Sequence, residues 1–458
     1  MARPHLPNTV KAVERPKRAP LEPEPAGWIT PDNLISISIR RNKRNNTYFP
    51  SPDAIKQFFE DYSEKLIQIS FTELSLDEKA PLFPDTAKMK EYFDVFLDVL
   101  PRWKRVTFWA PYVSRESLFG RLQLPPAVNL EHVTLQGPSF CDIPAVTEVL
   151  LQCWRSTGSI RTFEMVQFNE DTAHSQSILG NPCIYVPLGQ LTSLRLDIKM
   201  SVEHCCEVLL LSPYLENCSI TNVTGPDMFP RPILTPLLER LNLAVNYEDH
   251  ALSKPTYLCR LFDSLQAPVL HHLNIECDDN WQNQSFLNFL RVSQCTLEAL
   301  EMFMVRMTDR ELYEILQHTP ELRILKIHGD TSQNPQPLTC DLMKELTKFP
   351  QNQNLLCPSL EMFSVNDDAV EDLPDGILSD MLLSRVSDVY VQNVWFRSSR
   401  ENPKHQIDIQ RLESVKGHLE ILQNISIDRS RTAWEDWNKS VRQKLEELDQ
   451  RGEQSVAL

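Results

Sequence analysis

The residues whose type could carry chemistry are the eleven cysteines, the His271-His272 doublet and the acidic run NDDAVED at residues 366–372. Their spacing argues against it. The cysteines form no CxxC pair and do not alternate with histidine as a tetrahedral zinc site requires. Several sit in apolar segments, such as Cys153 in VLLQCW and Cys205-Cys206 in HCCEVLLL, where a thiol behaves as a small hydrophobe. Neighbouring residues of a strand point to opposite faces, so the two imidazoles of the doublet diverge instead of chelating one ion. NDDAVED lacks the glycine and terminal glutamate of a calcium loop. The chain has no GxSxG elbow, no GxxxxGK, no GxGxxG and no HExxH, and 11 glycines in 458 residues leave little for phosphate-cradling turns. These observations predict a protein that is not an enzyme and holds no metal or cofactor.

What the chain repeats is a strand. The stretch TPELRILKIHGD, residues 319–330, places Leu322, Leu325 and Ile327 at positions one, four and six after a proline. The same spacing recurs at Leu66/Ile69/Phe71, Trp103/Val106/Phe108, Leu130/Val133/Leu135, Ile160/Phe163/Met165, Leu191/Leu194/Leu196 and Leu215/Cys218/Ile220. It continues at Leu238/Leu241/Leu243, Leu270/Leu273/Ile275, Leu297/Leu300/Met302, Leu360/Phe363/Val365 and Val386/Val389/Val391. Between the copies lie amphipathic helical segments: DTAKMKEYFDVFLDVLP, IPAVTEVLLQCW, SVEHCCEVLLLSP, YLCRLFDSLQAP, SFLNFLRVS, TDRELYEILQHTP and DGILSDMLLSR. In one of them Thr308 and Glu311 form a capping box, and several end at a proline, which cannot continue a helix. Helix, turn, strand and loop repeated in this way predict an α/β leucine-rich-repeat solenoid, a horseshoe with parallel strands on its concave face and helices on its convex face.

The array is expected over residues 51–400. Residues 1–50, rich in proline and basic residues, are expected to be a disordered arm. Residues 401–458 are expected to cap the open end, with Trp434, Trp437, Val441, Leu445 and Leu448 along one helical stripe. A formal net charge of −16 argues against a grip on nucleic acid. No stretch of about 18 apolar residues is present to span a bilayer, so no membrane partner is expected. With no signal-peptide pattern, the expected location is the cytoplasm, the nucleus or both.

The phrases VLPRWKRVTFWAP, GQLTSLRLDI, LLLSPYLENCSI, LFDSLQAPVLHHLNI, FLRVSQCTLEALEM, ILQHTPELRILKI and LLCPSLEMFSV, taken in order, resemble basidiomycete F-box proteins with C-terminal leucine-rich repeats. In that family an N-terminal F-box, usually opening with Leu-Pro and an acidic residue, holds the Skp-type adaptor of a cullin-RING ubiquitin ligase, and the repeats hold the substrate. That opening is not visible here, because HLPNTV is followed by proline-broken sequence. The resemblance therefore implies the substrate-recognition part of such a subunit without a recognisable adaptor-binding box. The alternative is a leucine-rich-repeat scaffold with no link to ubiquitin.

If positions four and six point into the core, positions three, five and seven point out across the concave face. Position five reads Ser70, Thr107, Thr134, Glu164, Arg195, Ser219, Asn242, Asn274, Glu301, Lys326, Ser364 and Tyr390, a polar column of mixed charge. Aromatic and arginine side chains carry much of the energy at protein interfaces. The protein-binding candidates are accordingly Trp109, Arg195, Arg240, Phe303 and Tyr390.

Overall fold

A proline shortly after several of the helices sets up the turn into the next strand. In Ser212-Pro213-Tyr214-Leu215 the amide of Leu215 donates to the Ser212 carbonyl at 3.2 Å, and the same bond closes the turns ending at Leu238, Leu270, Leu322 and Leu360. Proline stands second in each of these turns, where its fixed φ is already that of a β-turn. At two of them the first residue also ties off the preceding helix. The hydroxyl of Ser212 donates to the Val208 carbonyl at 2.7 Å, and that of Thr319 donates to the Ile315 carbonyl at 3.1 Å.

The structure is a computed structural model and describes residues 34–42, 47–71, 86–109, 125–137, 158–167, 186–224, 232–245, 257–277, 281–329, 337–349, 355–366, 368–386, 393–397, 404–416 and 424–428. The strands are β1 (Ile35–Asn42), β2 (Thr47–Phe49), β3 (Ile67–Phe71), β4 (Trp103–Trp109), β5 (His132–Gly137), β6 (Thr162–Gln167), β7 (Ser193–Ser201) and β8 (Asn217–Thr224). They continue as β9 (Ile233–Leu234), β10 (Arg240–Val245), β11 (Leu265–Gln266), β12 (His272–Glu276), β13 (Ala299–Phe303), β14 (Ile324–His328), β15 (Met362–Asn366), β16 (Asn393–Arg397) and β17 (Asn424–Asp428). The helices are α1 (Pro52–Asp61), α2 (Thr86–Asp98), α3 (Val202–Leu211), α4 (Tyr257–Ser264), α5 (Asn283–Ser293), α6 (Asp309–His318), α7 (Cys340–Leu346), α8 (Ile377–Val386) and α9 (Gln406–Lys416).

All strands except β9 and β11 join one 15-stranded sheet in the order β17-β16-β15-β14-β13-β12-β10-β8-β7-β6-β5-β4-β3-β1-β2. Every neighbouring pair is parallel apart from β1 with β2, and β9 pairs with β11 beside the main sheet. Rungs that follow chain order, parallel and helix-connected, are the architecture of a leucine-rich-repeat solenoid. No unit closes a core alone; each triplet packs against those of the rungs on either side. Over the nine complete triplets from Leu130 to Val365 no residue is more than 4% exposed. Full burial of such a side chain contributes about 1.5–3 kcal/mol, so the stack is held by its repetition.

Three expectations about boundaries change. Residues 35–42 lie within the segment expected to be disordered, yet Ile35, Ile37 and Ile39 are buried and β1 pairs in parallel with β3. The period-two pattern ISISI, short as it is, suffices once a neighbouring rung covers it. At the other end α9 and β17 carry the helix–strand alternation past residue 400. The triplet Val386/Val389/Val391 does not form a rung as read: α8 runs to Val386, and the strand after it is β16, at Asn393–Arg397. The helix expected in IPAVTEVLLQCW and the stripe from Trp434 to Leu448 lie outside the described residues.

Candidate protein-recognition face

Pairing between rungs is in register, and it turns the repeat position into a physical row. Position five runs Ser38, Ser70, Thr107, Thr134, Glu164, Arg195, Ser219, Asn242, Asn274, Glu301, Lys326, Ser364, Trp395 and Ser426, each the direct partner of the next. Rungs are spaced by about 4.8 Å, so from Ser38 to Ser364 each residue of the row stands within side-chain reach of the next. The buried triplets hold this row on the side of the sheet turned away from the helices.

The most connected stretch is at β12–β14. Glu301, 8% exposed, receives Lys326 Nζ at 2.9 Å and faces His272 Nε2 at 3.3 Å. Burial pushes its carboxyl up, and the hydrogen bonds and charges of His272 and Lys326 outweigh that, so the group is held below the usual carboxylate range. Two residues along the strands, the Phe303 and His328 rings meet edge to face with centroids 4.8 Å apart, and His328 Nε2 lies 3.0 Å from the Ser364 hydroxyl. Toward β5 the contacts change character. His132 Nε2 lies 2.9 Å from the Thr134 hydroxyl, and burial depresses the affinity of that imidazole for a proton, with Glu164 opposing and Arg105 adding to the effect. Asn242 donates to the Ser219 hydroxyl at 3.1 Å.

Among the sequence candidates, Arg195 and Arg240 are exposed on this face, and Arg195 lies 3.8 Å from Asp197, which also accepts the Thr221 hydroxyl. They belong to β7 and β10, with β8 between, and Phe303 lies two rungs beyond β10. The structure thus spreads these residues along the row instead of gathering them at one point. Trp109 ends β4 opposite Gln136 in register, and its side chain is outside the described residues, as is all of Tyr390. Register position five of that rung belongs to Trp395. The alternation Val394/Phe396 was its signal, masked by the equally regular valines upstream. Glu301 was in the predicted column, but nothing in the sequence marked it as the one charge drawn out of water.

A second polar cluster lies at α8 and α9, where ligand atoms of Asp375, His405 and Asp408 fall within 4.8 Å of one another. Their lone pairs are already engaged. Asp375 accepts the first-turn amides of Ile407 and Asp408 from α9 at 2.9 and 3.0 Å, and Asp408 accepts Ser379 N of α8 at 2.7 Å. His405, 1% exposed, places Nδ1 3.0 Å from the Asp408 carboxylate and Nε2 2.9 Å from the Val370 carbonyl. Two helix N-termini, with positive dipole ends, converge here. The group reads as a reciprocal helix cap, an environment unfavourable to a cation.

Neither a family model nor a curated protein matches the chain. Among solved structures it is similar to a chain of the yeast complex of Rad7 and Elc1, at 13% identity over 60% of this chain and 73% of that one, with a TM-score of 0.32. The assignment of the fold rests on the strand register itself. No helix among the described residues is long and apolar enough to cross a membrane.

Proposed function

We propose that this chain is a non-catalytic recognition module that binds a protein partner on its concave, strand-lined face, and that it serves as the substrate-recognition part of an F-box type ubiquitin-ligase subunit in the cytoplasm or nucleus. The observation that carries the binding role is the position-five row. A rigid sheet presents mixed charges already oriented by one another, with Glu301 pre-paired and aromatic Phe303 beside it. Preorganised polar groups around an aromatic anchor lower the ordering cost of association. The ligase role rests on the resemblance of the repeat phrases alone.

The test is co-purification from cells of the source organism, using the full chain and three single variants. Lys326→Glu and Phe303→Ala on the strand-lined face should lose a protein that wild type retains, whereas Arg310→Glu, on exposed α6, should keep it. Equal retention by all three would remove the concave face as the binding surface. Absence of Skp-type adaptor and of ubiquitin conjugates of the retained protein would leave a scaffold and remove the ligase role.

A further inference from the structure

Position two of each repeat forms a separate row along the rim where the strands begin. Backbone bonds link Lys104, Glu131, Arg161, Thr192, Glu216, Glu239, His271, Glu298, Arg323 and Glu361 rung by rung, at 2.7 to 3.0 Å. Five of these ten residues are ion-paired, and the Arg161 guanidinium donates to the Gln190 carbonyl. Lys104 meets Glu131 at 3.6 Å, and Arg323 meets Glu298 at 3.7 Å and Glu361 at 2.8 Å. Glu216 and Glu239 stand apart as exposed like charges on adjacent rungs, and among the described residues neither is ion-paired. Like charges directly across a sheet are destabilising, so this doublet works against the stack.

At the same rungs the neighbouring row changes as well. The third residue of each proline turn is polar at Glu321 and Ser359, and the same place in the intervening rung is Thr296. On β8, β10 and β12 it is Tyr214, Leu237 and Val269, which are 57%, 43% and 45% exposed. On the other side the row returns to Gln190. Leu211, the last residue of α3, adds a further side chain at 47% exposure. An apolar triplet bounded by polar residues on both sides thus coincides with the uncompensated acidic pair.

We propose that this rim is a second docking surface, and that its occupant is a cationic amphipathic helix of a partner protein, laid across the rungs. Three rungs span about 10 Å. A helix carries apolar side chains at i, i+3 or i+4, and i+7 over the same length, about 1.5 Å per residue. Its apolar stripe meets Tyr214, Leu237 and Val269, and Lys or Arg on the flank meets Glu216 and Glu239. This surface is distinct from the position-five row and does not depend on what that row binds.

The probe is a labelled helical peptide about 18 residues long, built of Lys, Leu and Ala with one leucine stripe, titrated against the full chain by fluorescence anisotropy. An analogue with Glu in place of Lys is the reference. The lysine peptide should bind, weaken as salt is raised, and bind at least about tenfold more tightly than the analogue, a gap worth about 1.4 kcal/mol. Glu216→Lys/Glu239→Lys and, separately, Tyr214→Ser/Leu237→Ser should each abolish that preference, while Lys326→Glu on the other face should leave it. Glu60→Lys/Asp61→Lys on α1 changes net charge by the same amount and should keep most of the binding. No binding by wild type, or equal losses in the α1 control and the rim variants, overturns the proposal.

Discussion

Arg385 and Glu301 are both charged groups nearly removed from water, at 4% and 8% exposure, yet one lies among the helices and the other on the open side of the sheet. Arg385 gives its guanidinium entirely to the backbone: the carbonyls of Leu346 at 2.6 Å, Leu356 at 2.7 Å and Cys357 at 2.8 Å. Burial lowers its pKa to about 10 and raises that of the neighbouring Cys357 thiol to about 12. Arg102 repeats the device near the other end, donating to the carbonyls of Phe59 in the last turn of α1 and of Tyr62 and Lys65 just after it. Glu301 instead meets two side chains, each about 30% exposed. Charges bonded to carbonyls hold the solenoid together; the half-exposed partners of Glu301 are the kind of group the proposed recognition role would use.

That distinction is open to mutation. The largest expected effect is in the strands themselves. Leu325→Asp places an unpartnered carboxylate between two rungs and should cost several kcal/mol in chemical denaturation. Arg385→Met comes next, because it leaves the Leu346 and Leu356 carbonyls without donors, at about 1–3 kcal/mol each before relaxation, and the Cys357 carbonyl with the Leu360 amide alone. A loss of about 3 kcal/mol is expected, and one below about 1 kcal/mol would make Arg385 a passenger.

The cap at α8 and α9 should show its character through pH. Burial lowers the affinity of His405 for a proton, but Asp408, the Val370 carbonyl and the charge of Asp375 overcome that and hold its pKa above the usual value. Burial pushes Asp408 up, and its bonds to His405 and Ser379 pull it below the usual carboxylate range. A raised histidine contributes stability that is complete below its ordinary value and is lost as pH rises through the folded value. A lowered carboxylate contributes stability that is lost as pH falls through its own folded value. Protection of the Ser379, Ile407 and Asp408 amides from hydrogen exchange, corrected for intrinsic rate, should therefore be greatest between the two. In His405→Gln the fall on the alkaline side should disappear.

Much of this was legible in the residues. The aliphatic triplets gave strands, faces and rung order because a period-two pattern locked to a proline turn has few other ways to bury itself. The column Arg195, Asn242, Glu301, Lys326 followed from the same count. What the count could not give was depth: Glu301 and Lys326 occupy equivalent positions, and only the packed rungs leave one 11% and the other 30% exposed at the side chain. Nor could it separate two runs of equal regularity, Val386/Val389/Val391 and Val394/Phe396, since which continues the sheet depends on where α8 ends. The isoleucines of β1 were missed for a related reason, being a short pattern whose neighbouring rung supplies the burial.

The smallest expected change in stability is at Lys326, and it sharpens the comparison most. Lys326→Ala removes one of the two partners that hold the Glu301 carboxyl down, so burial gains ground and the Glu301 pKa should rise, which NMR titration of that carboxyl would read. Lys326 is itself 30% exposed at the side chain and His272 still faces the carboxylate after its loss, so the unfolding midpoint should move by no more than about 1 kcal/mol. Arg385→Met, equally a loss of one cation, should differ from it severalfold in stability. If the two variants unfold alike, the kind of partner a buried charge chooses says nothing about whether it serves the fold or a ligand.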